Sequence, residues 1–373
     1  MYTNIEIYII LYCTHKDNLK LDKARKWLKR RNLLLLAKRS SVHLDKVYTE
    51  CLGVKKHENL IIIGDIGFKN QYVAPTLAYA YFLAAKARNL RADLLLQEST
   101  TRGENAALEV QKILKKLPPQ SIVILTLSDR LGKLNGNGKS FRVYAEKYKH
   151  RFISTTSLSN IATNKIDAVL KAIDINYAEL RKRQQRIKKI LDNGKEMHVI
   201  SDAGTDIRFS IKDYKAISAD GNYKKPGTGG NLPAGEVYIV PSKMNGVCMI
   251  DGSSRNRFNT HLTVKPIKMV IARNKVEQIL DGSIAKLLEK SLQWAEKKSK
   301  YPERIRTVAE FGIGLNKDAR VIGSTIVDEK AYDTAHIALG SNYWFKGPVK
   351  TIIHLDQVFR HPKIYVDGKI LKF

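Results

Sequence analysis

Between residues 59 and 157 the chain alternates two kinds of segment, and this alternation limits the possible folds more than any other feature. Short, almost unbroken apolar runs occur at NLIIIGD (59–65), ADLLLQ (92–97), SIVILTL (121–127) and RFISTTS (151–157). Between them lie stretches with helical spacing, QYVAPTLAYAYFLAAKARN at 71–89 and GENAALEVQKILKKL at 103–117. A strand that is apolar at every position needs cover on both faces. A parallel sheet wrapped by its crossover helices meets that need. The expectation is an α/β domain, a parallel sheet with flanking helices.

Further on the period changes. A polar helix is expected from about Asn176 to Leu191, ended by Asp192-Asn193-Gly194. Beyond it MHVISDAGTDIRFSI alternates with period two and reads as a hairpin turning near Ala203-Gly204. VYIVP, GVCMIDG and IKMVIARN read as further strands, interrupted by one helix, SIAKLLEKSLQWAEKKS at 283–299, and IYVDGKILKF reads as a closing hairpin. The second half is therefore expected to be α+β and rich in strands. The expected division is a basic N-terminal extension at 1–56, an α/β domain at 57–193 and a β-rich, metal-binding catalytic domain at 194–373. Within the extension, KLDKARKWLKRRNLLLLAKR suggests one amphipathic helix.

Composition narrows the functional classes. The formal net charge is +29, from 65 Lys and Arg against 36 Asp and Glu. Such an excess invites a nucleic-acid reading. The extension holds 13 Lys and Arg against five Asp and Glu, and RKRQQRIKK at 181–189 is a second basic cluster. No zinc-finger, RNP-like or basic-zipper pattern accompanies the charge, so it is read as solvated helix faces, and a nucleic-acid partner is not favoured. Cys13, Cys51 and Cys248 stand far apart with no C-x-x-C pair, which argues for a reducing cytosol and against a disulfide frame. The apolar run within MYTNIEIYIILY starts after Glu6 and is too short to span a bilayer. A cytoplasmic protein without a membrane partner is expected.

The chemistry-bearing residues gather late in the chain. Glu310 in VAEFGIG, His336 in DTAHIALG, and His354 with Asp356 in TIIHLDQ lie in apolar runs, and Glu236 opens the run in PAGEVYIVP. Such groups are costly to bury unless something satisfies them, and a divalent cation satisfies carboxylates and imidazoles together. His354 and Asp356, two apart on a strand, share a face. Two His and three carboxylates from four segments suffice for two divalent ions, with Zn, Co, Mn and Mg all accepting such ligands.

The series PGTGGNLPAGEVYIVP, AEFGIGLN, VDEKAYDTAHIALGSNYWF, IIHLDQVF and YVDGKIL resembles the signature blocks of the thermophilic aminopeptidase family, cocatalytic metallopeptidases of the aminopeptidase T and S type. The resemblance covers roughly residues 190–373, and the upstream region is similar to the family's shorter prokaryotic branch. It implies that Glu236, Glu310, His336, His354 and Asp356 are metal ligands and that Tyr343 is the active-site tyrosine. It also implies a homodimer whose site faces an internal cavity and takes peptides. Two ions about 3.5–4 Å apart can polarise a peptide carbonyl and hold a hydroxide nucleophile. Glu236 or Glu310 would act as general base, and the Tyr343 phenol would donate to the oxyanion. The expected activity is thus that of a metallo-aminopeptidase, a hydrolase of N-terminal peptide bonds.

Other readings stay open. His336, His354 and Asp356 alone form a two-His-one-carboxylate set suited to mononuclear iron. Ring-cleaving dioxygenases for dihydroxypyridines are similar to the same superfamily. One iron would leave Glu236 and Glu310 unexplained, whereas two metals use both. A basic nucleic-acid-binding protein would lose affinity steeply as salt rises. LGKLNGNGKS at 131–140 has the look of a phosphate loop, but its Gly132 to Gly138 interval is one residue too long. PGTGGN at 226–231 reads as a tight turn before the Glu236 strand, or as backbone amides for an anion. Asp328, Glu329 and Lys330 read as ion-pair residues near the ligands. His15, His43, His57, His150, His198, His261 and His361 have no partners by spacing.

Overall fold

Each of the four apolar runs becomes a strand of one parallel sheet in the computed structural model, which describes residues 16–101, 103–134 and 141–373. Three of these strands are buried throughout and the second is broken by the exposed Asp93. The apolar N-terminal run, Cys13, His15 and positions 135–140 of the glycine-rich stretch lie outside the described residues. The chain forms two compact units.

The first unit comprises Met1–Asp174 with Gly221–Leu232. It opens with α1 (Lys16–Arg30) and α2 (Leu34–Ser41). One helix was expected here, and Asn32 divides it by taking a left-handed φ of 57°. Asparagine enters that region more readily than most residues. The sheet consists of β1 (Leu60–Asp65), β2 (Ala92–Gln97), β3 (Ile122–Thr126) and β4 (Arg151–Thr155), joined through α3 (Val73–Ala87), α4 (Leu108–Lys116) and α5 (Phe141–Lys147), with α6 (Ile166–Ile173) after β4. Its order is β2-β1-β3-β4-β8, all neighbours parallel, where β8 is the short strand Gly229–Asn231. Ile61, Ile63, Val123, Leu125 and Phe152 pack with Val110 and Leu114 of α4 in one core. Burial of such a side chain contributes about 1.5–3 kcal/mol relative to exposure.

β8 explains the glycines of PGTGGN. Gly229 pairs with Phe152, and a Cβ on Gly229 would lie 2.1 Å from the Phe152 ring. The glycine therefore permits close approach of a strand edge to an aromatic ring. Pro226 and Gly227 form the expected turn, with the Thr228 amide donating to the Lys225 carbonyl at 3.2 Å, and Gly229–Asn231 then pair as an edge strand.

The second unit comprises Ile175–Asp220 with Pro233–Phe373. It begins with α7 (Tyr177–Asn193), whose first turn is closed by Asn176 accepting from the Glu179 amide at 3.1 Å. Two seven-stranded antiparallel sheets follow. One has the order β14-β13-β10-β6-β5-β18-β19, built from β5 (Glu196–Ile200), β6 (Asp206–Ser210), β10 (Ser242–Ile250), β13 (Ile267–Ala272), β14 (Lys275–Leu280), β18 (Lys363–Val366) and β19 (Lys369–Ile370). The other has the order β12-β11-β17-β16-β15-β9-β7, built from β7 (Ile217–Ala219), β9 (Glu236–Ile239), β11 (Ser253–Arg255), β12 (Thr260–Leu262), β15 (Val308–Gly314), β16 (Thr334–Gly340) and β17 (His354–Arg360). Helices α8 (Gly282–Lys298) and α9 (Thr325–Asp328) complete the unit.

The period of two is visible in β13, where Ile267, Met269 and Ile271 are buried and their neighbours are not. Phe209 of β6 meets Phe311 of β15 at 4.9 Å between ring centroids, so the two sheets share a core. The expected architecture, a parallel sheet with flanking helices followed by a β-rich α+β region, is the one observed. Cys51 and Cys248 are buried, and there is no disulfide among the described residues. Among the described residues no helix is long and apolar enough to cross a membrane.

Candidate metal centre

Strand register brings the five expected ligands onto one face of the second sheet. Directly paired residues of an antiparallel ladder point the same way. Glu236 pairs with Gly314, Gly312 with His336, Ala338 with both Glu310 and Asp356, and Gly340 with His354. Each donor thus stands opposite a glycine or an alanine, which leaves room for side chains to converge above the strands. At Gly312 the need is strict, because a Cβ there would lie 2.1 Å from His336 Cε1.

The donors are close together. His336 Nε2 is 3.2 Å from Glu310 Oε1 and 3.7 Å from Glu236 Oε2. His354 Nε2 is 3.1 Å from Asp356 Oδ1 and 3.6 Å from Glu310 Oε2. Glu310 therefore places one oxygen beside each imidazole. One donor atom each of Glu236, Glu310 and His336 lie within 4.8 Å of one another, and so do those of Glu329, His336 and Asp356. Two donors bound at about 2.1 Å to one ion, at tetrahedral or octahedral angles, stand about 3.0–3.4 Å apart. The observed separations match that spacing or exceed it slightly.

Surrounding groups hold these side chains. Gln184 of α7 donates to the Glu236 carbonyl at 2.8 Å. His354 Nδ1 lies 2.8 Å from the Ser341 carbonyl, which can only accept, so Nδ1 carries a proton and Nε2 is the nitrogen turned to the carboxylates, where it holds a second proton or a metal. The buried Lys330 ammonium donates to Glu236 Oε1 at 2.5 Å and also to Glu329. Glu236 Oε2 and His336 Nδ1 are buried and have no hydrogen-bond partner among the described residues. Buried polar atoms of this kind call for a further partner. The orphaned oxygen, the spacing and the mixed nitrogen and oxygen donors together fit a divalent cation.

The electrostatics point the same way. Burial opposes protonation of His336, but the Glu310 hydrogen bond and the charges of Glu236, Glu310 and Glu329 outweigh it and lift its pKa to about 9. Burial likewise opposes His354, and the Asp356 charge and hydrogen bond, with Glu310, raise it to about 10. Burial alone would raise the Asp356 carboxyl, yet His354 holds it well below the usual carboxylate range. Burial raises Glu236, against the Lys330 charge, and pushes Glu329 up to about 8. The field at the two imidazoles therefore attracts positive charge, whether a proton or a metal.

Tyr343 lies outside the group. Its side chain is 61% exposed, and its ring faces Lys350 Nζ at 5.0 Å. The neighbouring Trp344 instead meets His354, with centroids 4.7 Å apart. Sequence reasoning had not singled out Trp344, Gly312 or Gln184. The glycine of AEFGIG, facing a histidine strand, was the one signal that could have been used.

A family model described as "NicX: 2,5-dihydroxypyridine 5,6-dioxygenase" matches residues 43–371. The chain belongs to this family. Among solved structures, a 2,5-dihydroxypyridine dioxygenase from Pseudomonas putida KT2440 is similar with a TM-score of 0.67 and 17% identity, over 90% of this chain and 95% of that one. Wild-type AmpT from Thermus thermophilus is similar with a TM-score of 0.59 and 14% identity, over 90% and 97%. At such identities both likenesses show the fold alone. No curated protein matches the chain.

NicX-family membership overturns the expectation of a metallo-aminopeptidase, and with it the hydrolase and protease reading. The physical reason is that the motif blocks describe a sheet face able to gather five donors. Such a face does not determine how many ions bind or which bond is cut. What carries over is the coarser statement, a buried group of Glu, His and Asp side chains able to hold metal.

Proposed function

We propose that this NicX-family chain is a ring-cleaving dioxygenase that holds one iron on His336, His354 and Asp356 and opens a dihydroxylated N-heteroaromatic ring. The observation that carries the reading is the family match over residues 43–371, in a chain whose two histidines and Asp356 lie on adjacent strands. Two imidazoles and one carboxylate on one side of an ion leave other positions open, the arrangement of non-haem ferrous oxygenases. Ferrous iron, when bound, would relay electrons from the ring to dioxygen and so remove the spin barrier to reaction with a closed-shell ring.

The remaining residues have roles that require no second ion. Glu236 takes its counter-charge from the buried Lys330 ammonium, which Glu329 shares. Glu310, with an oxygen near each histidine, stands where a ring hydroxyl approaching the ligands would meet it. It takes the hydroxyl proton as general base. The Ser341 carbonyl keeps the His354 proton on Nδ1 and so orients the ring.

The test is anaerobic loading with ferrous iron, metal analysis, and dioxygen uptake in the presence of 2,5-dihydroxypyridine and its isomers. The expected result is one iron per chain and loss of ring absorbance in step with dioxygen consumed, both abolished in Asp356→Ala. An iron-loaded chain that consumes no dioxygen with any dihydroxypyridine would falsify the reading.

A further inference from the structure

The connection between β16 and β17 carries three aromatic residues in succession, Tyr343, Trp344 and Phe345, on a single 3-10 turn. With three residues per turn, consecutive side chains point about 120° apart. Phe345 turns inward, where it is buried against Tyr238 at 5.1 Å. Tyr343 turns out toward Lys350. Trp344 lies between them, in an edge-to-face contact with the His354 ring at an interplanar angle of 71° and with half of its surface exposed.

The turn is pinned, so the indole is held in place. Asn342 is fully buried, donates to the Ala309 carbonyl at 2.9 Å and accepts from the Val349 amide at 2.8 Å. The Gly347 amide closes the turn on the Asn342 carbonyl at 3.0 Å, and a Cβ on Gly347 would lie 2.1 Å from Asn342 Cγ. A large aromatic face ordered before binding costs little further entropy when a ligand covers it. Offset or edge-on contact between rings contributes beyond the area buried.

We propose that Trp344 is the stacking face for the substrate ring and makes the site prefer planar aromatic oxygen ligands over aliphatic ones. The inference rests on the iron reading above and adds to it the residue that selects the ring. His354 binds through Nε2, and a ring whose oxygens reach toward that nitrogen runs alongside the indole packed on the same imidazole. Tyr343, turned away toward Lys350, does not serve this purpose.

The experiment compares iron-loaded wild type with Trp344→Phe and Trp344→Leu, without oxygen. Each protein is titrated with 2,5-dihydroxypyridine and with acetohydroxamate, an aliphatic oxygen chelator. The readout is the ratio of the two dissociation constants, because a change in metal occupancy or in His354 moves both constants together. Leucine keeps apolar packing on His354 but has no ring. The expected result is a shift of the ratio against the aromatic ligand by about tenfold in Trp344→Leu, and within about threefold of wild type in Trp344→Phe. An unchanged ratio in Trp344→Leu overturns the inference. A wild type that prefers the aliphatic chelator also overturns it, and leaves the iron reading to be decided by dioxygen uptake.

Discussion

His336 and His354 are surrounded by carboxylates that favour any cation on their ring nitrogens, so protons and metal compete for the same sites. The sign follows from the two pKa values, lifted from an ordinary 6.5 to about 9 and about 10. Without metal, the protonated form is the one the fold stabilises. That contribution is complete below 6.5 and is lost as pH rises through 9 and then 10. Metal-free protein should therefore lose stability across this window, and metal-loaded protein should not. At pH 7 a bound ion must expel about two protons, so its apparent affinity should climb with pH and level off above about 10. Titration calorimetry in buffers of different ionisation heat measures the proton release directly. Affinity that stays flat from pH 6 to 9 excludes both histidines as ligands.

At the scale of elements, β15 and β16 work as a pair in which Gly312 provides the space that His336 occupies. Replacing Gly312 with Ala should push the imidazole off its position, lower metal affinity about 10–100-fold and cost about 1–3 kcal/mol through overpacking. Metal analysis and denaturant unfolding check the two effects separately, and a fully loaded Gly312→Ala protein would show that the ring has another place to go. The same strands show what a sequence can reveal. The four apolar runs were legible because continuous burial needs no partner to be recognised, and the donors of β15, β16 and β17 were legible because a period of two assigns faces. β8 was not, since Gly229 and Gly230 carry no strand preference and the pairing joins residues far apart in the chain. Glu329 and Lys330 were read as ion-pair residues near the ligands, and they are, but the identity of the partner Glu236, 94 residues from Lys330, was not legible, nor was the pairing of His43 with Asp174, 131 residues away. Spacing along the chain reveals local geometry and is silent on such contacts. The five donors identified a face able to hold metal, but the reaction depends on ion number and on what the neighbouring turn presents, and neither is encoded in those five positions.

The whole molecule sets an acidic, buried donor cluster within a chain of net charge +29. The interior carboxylates draw a metal cation, while the excess of surface Lys and Arg draws anions from solution. Lys346 and Lys350 are exposed on the segment that carries Trp344, so positive charge continues to the edge of the proposed ring site. Long-range attraction of this kind raises the encounter rate and fades with salt, because the screening length falls from about 30 Å at 0.01 M to about 8 Å at 0.15 M. For a dihydroxypyridine bearing a carboxylate, kcat/KM should fall several-fold over that range, while kcat at saturation stays level. For the uncharged dihydroxypyridine, kcat/KM should barely move. Steady-state rates on both substrates across a salt series make the comparison, with the neutral ring as the control for any effect of salt on the protein itself. Equal salt dependence for the two rings would mean that the surface charge answers to some other partner, and a nucleic acid would then be the first to try.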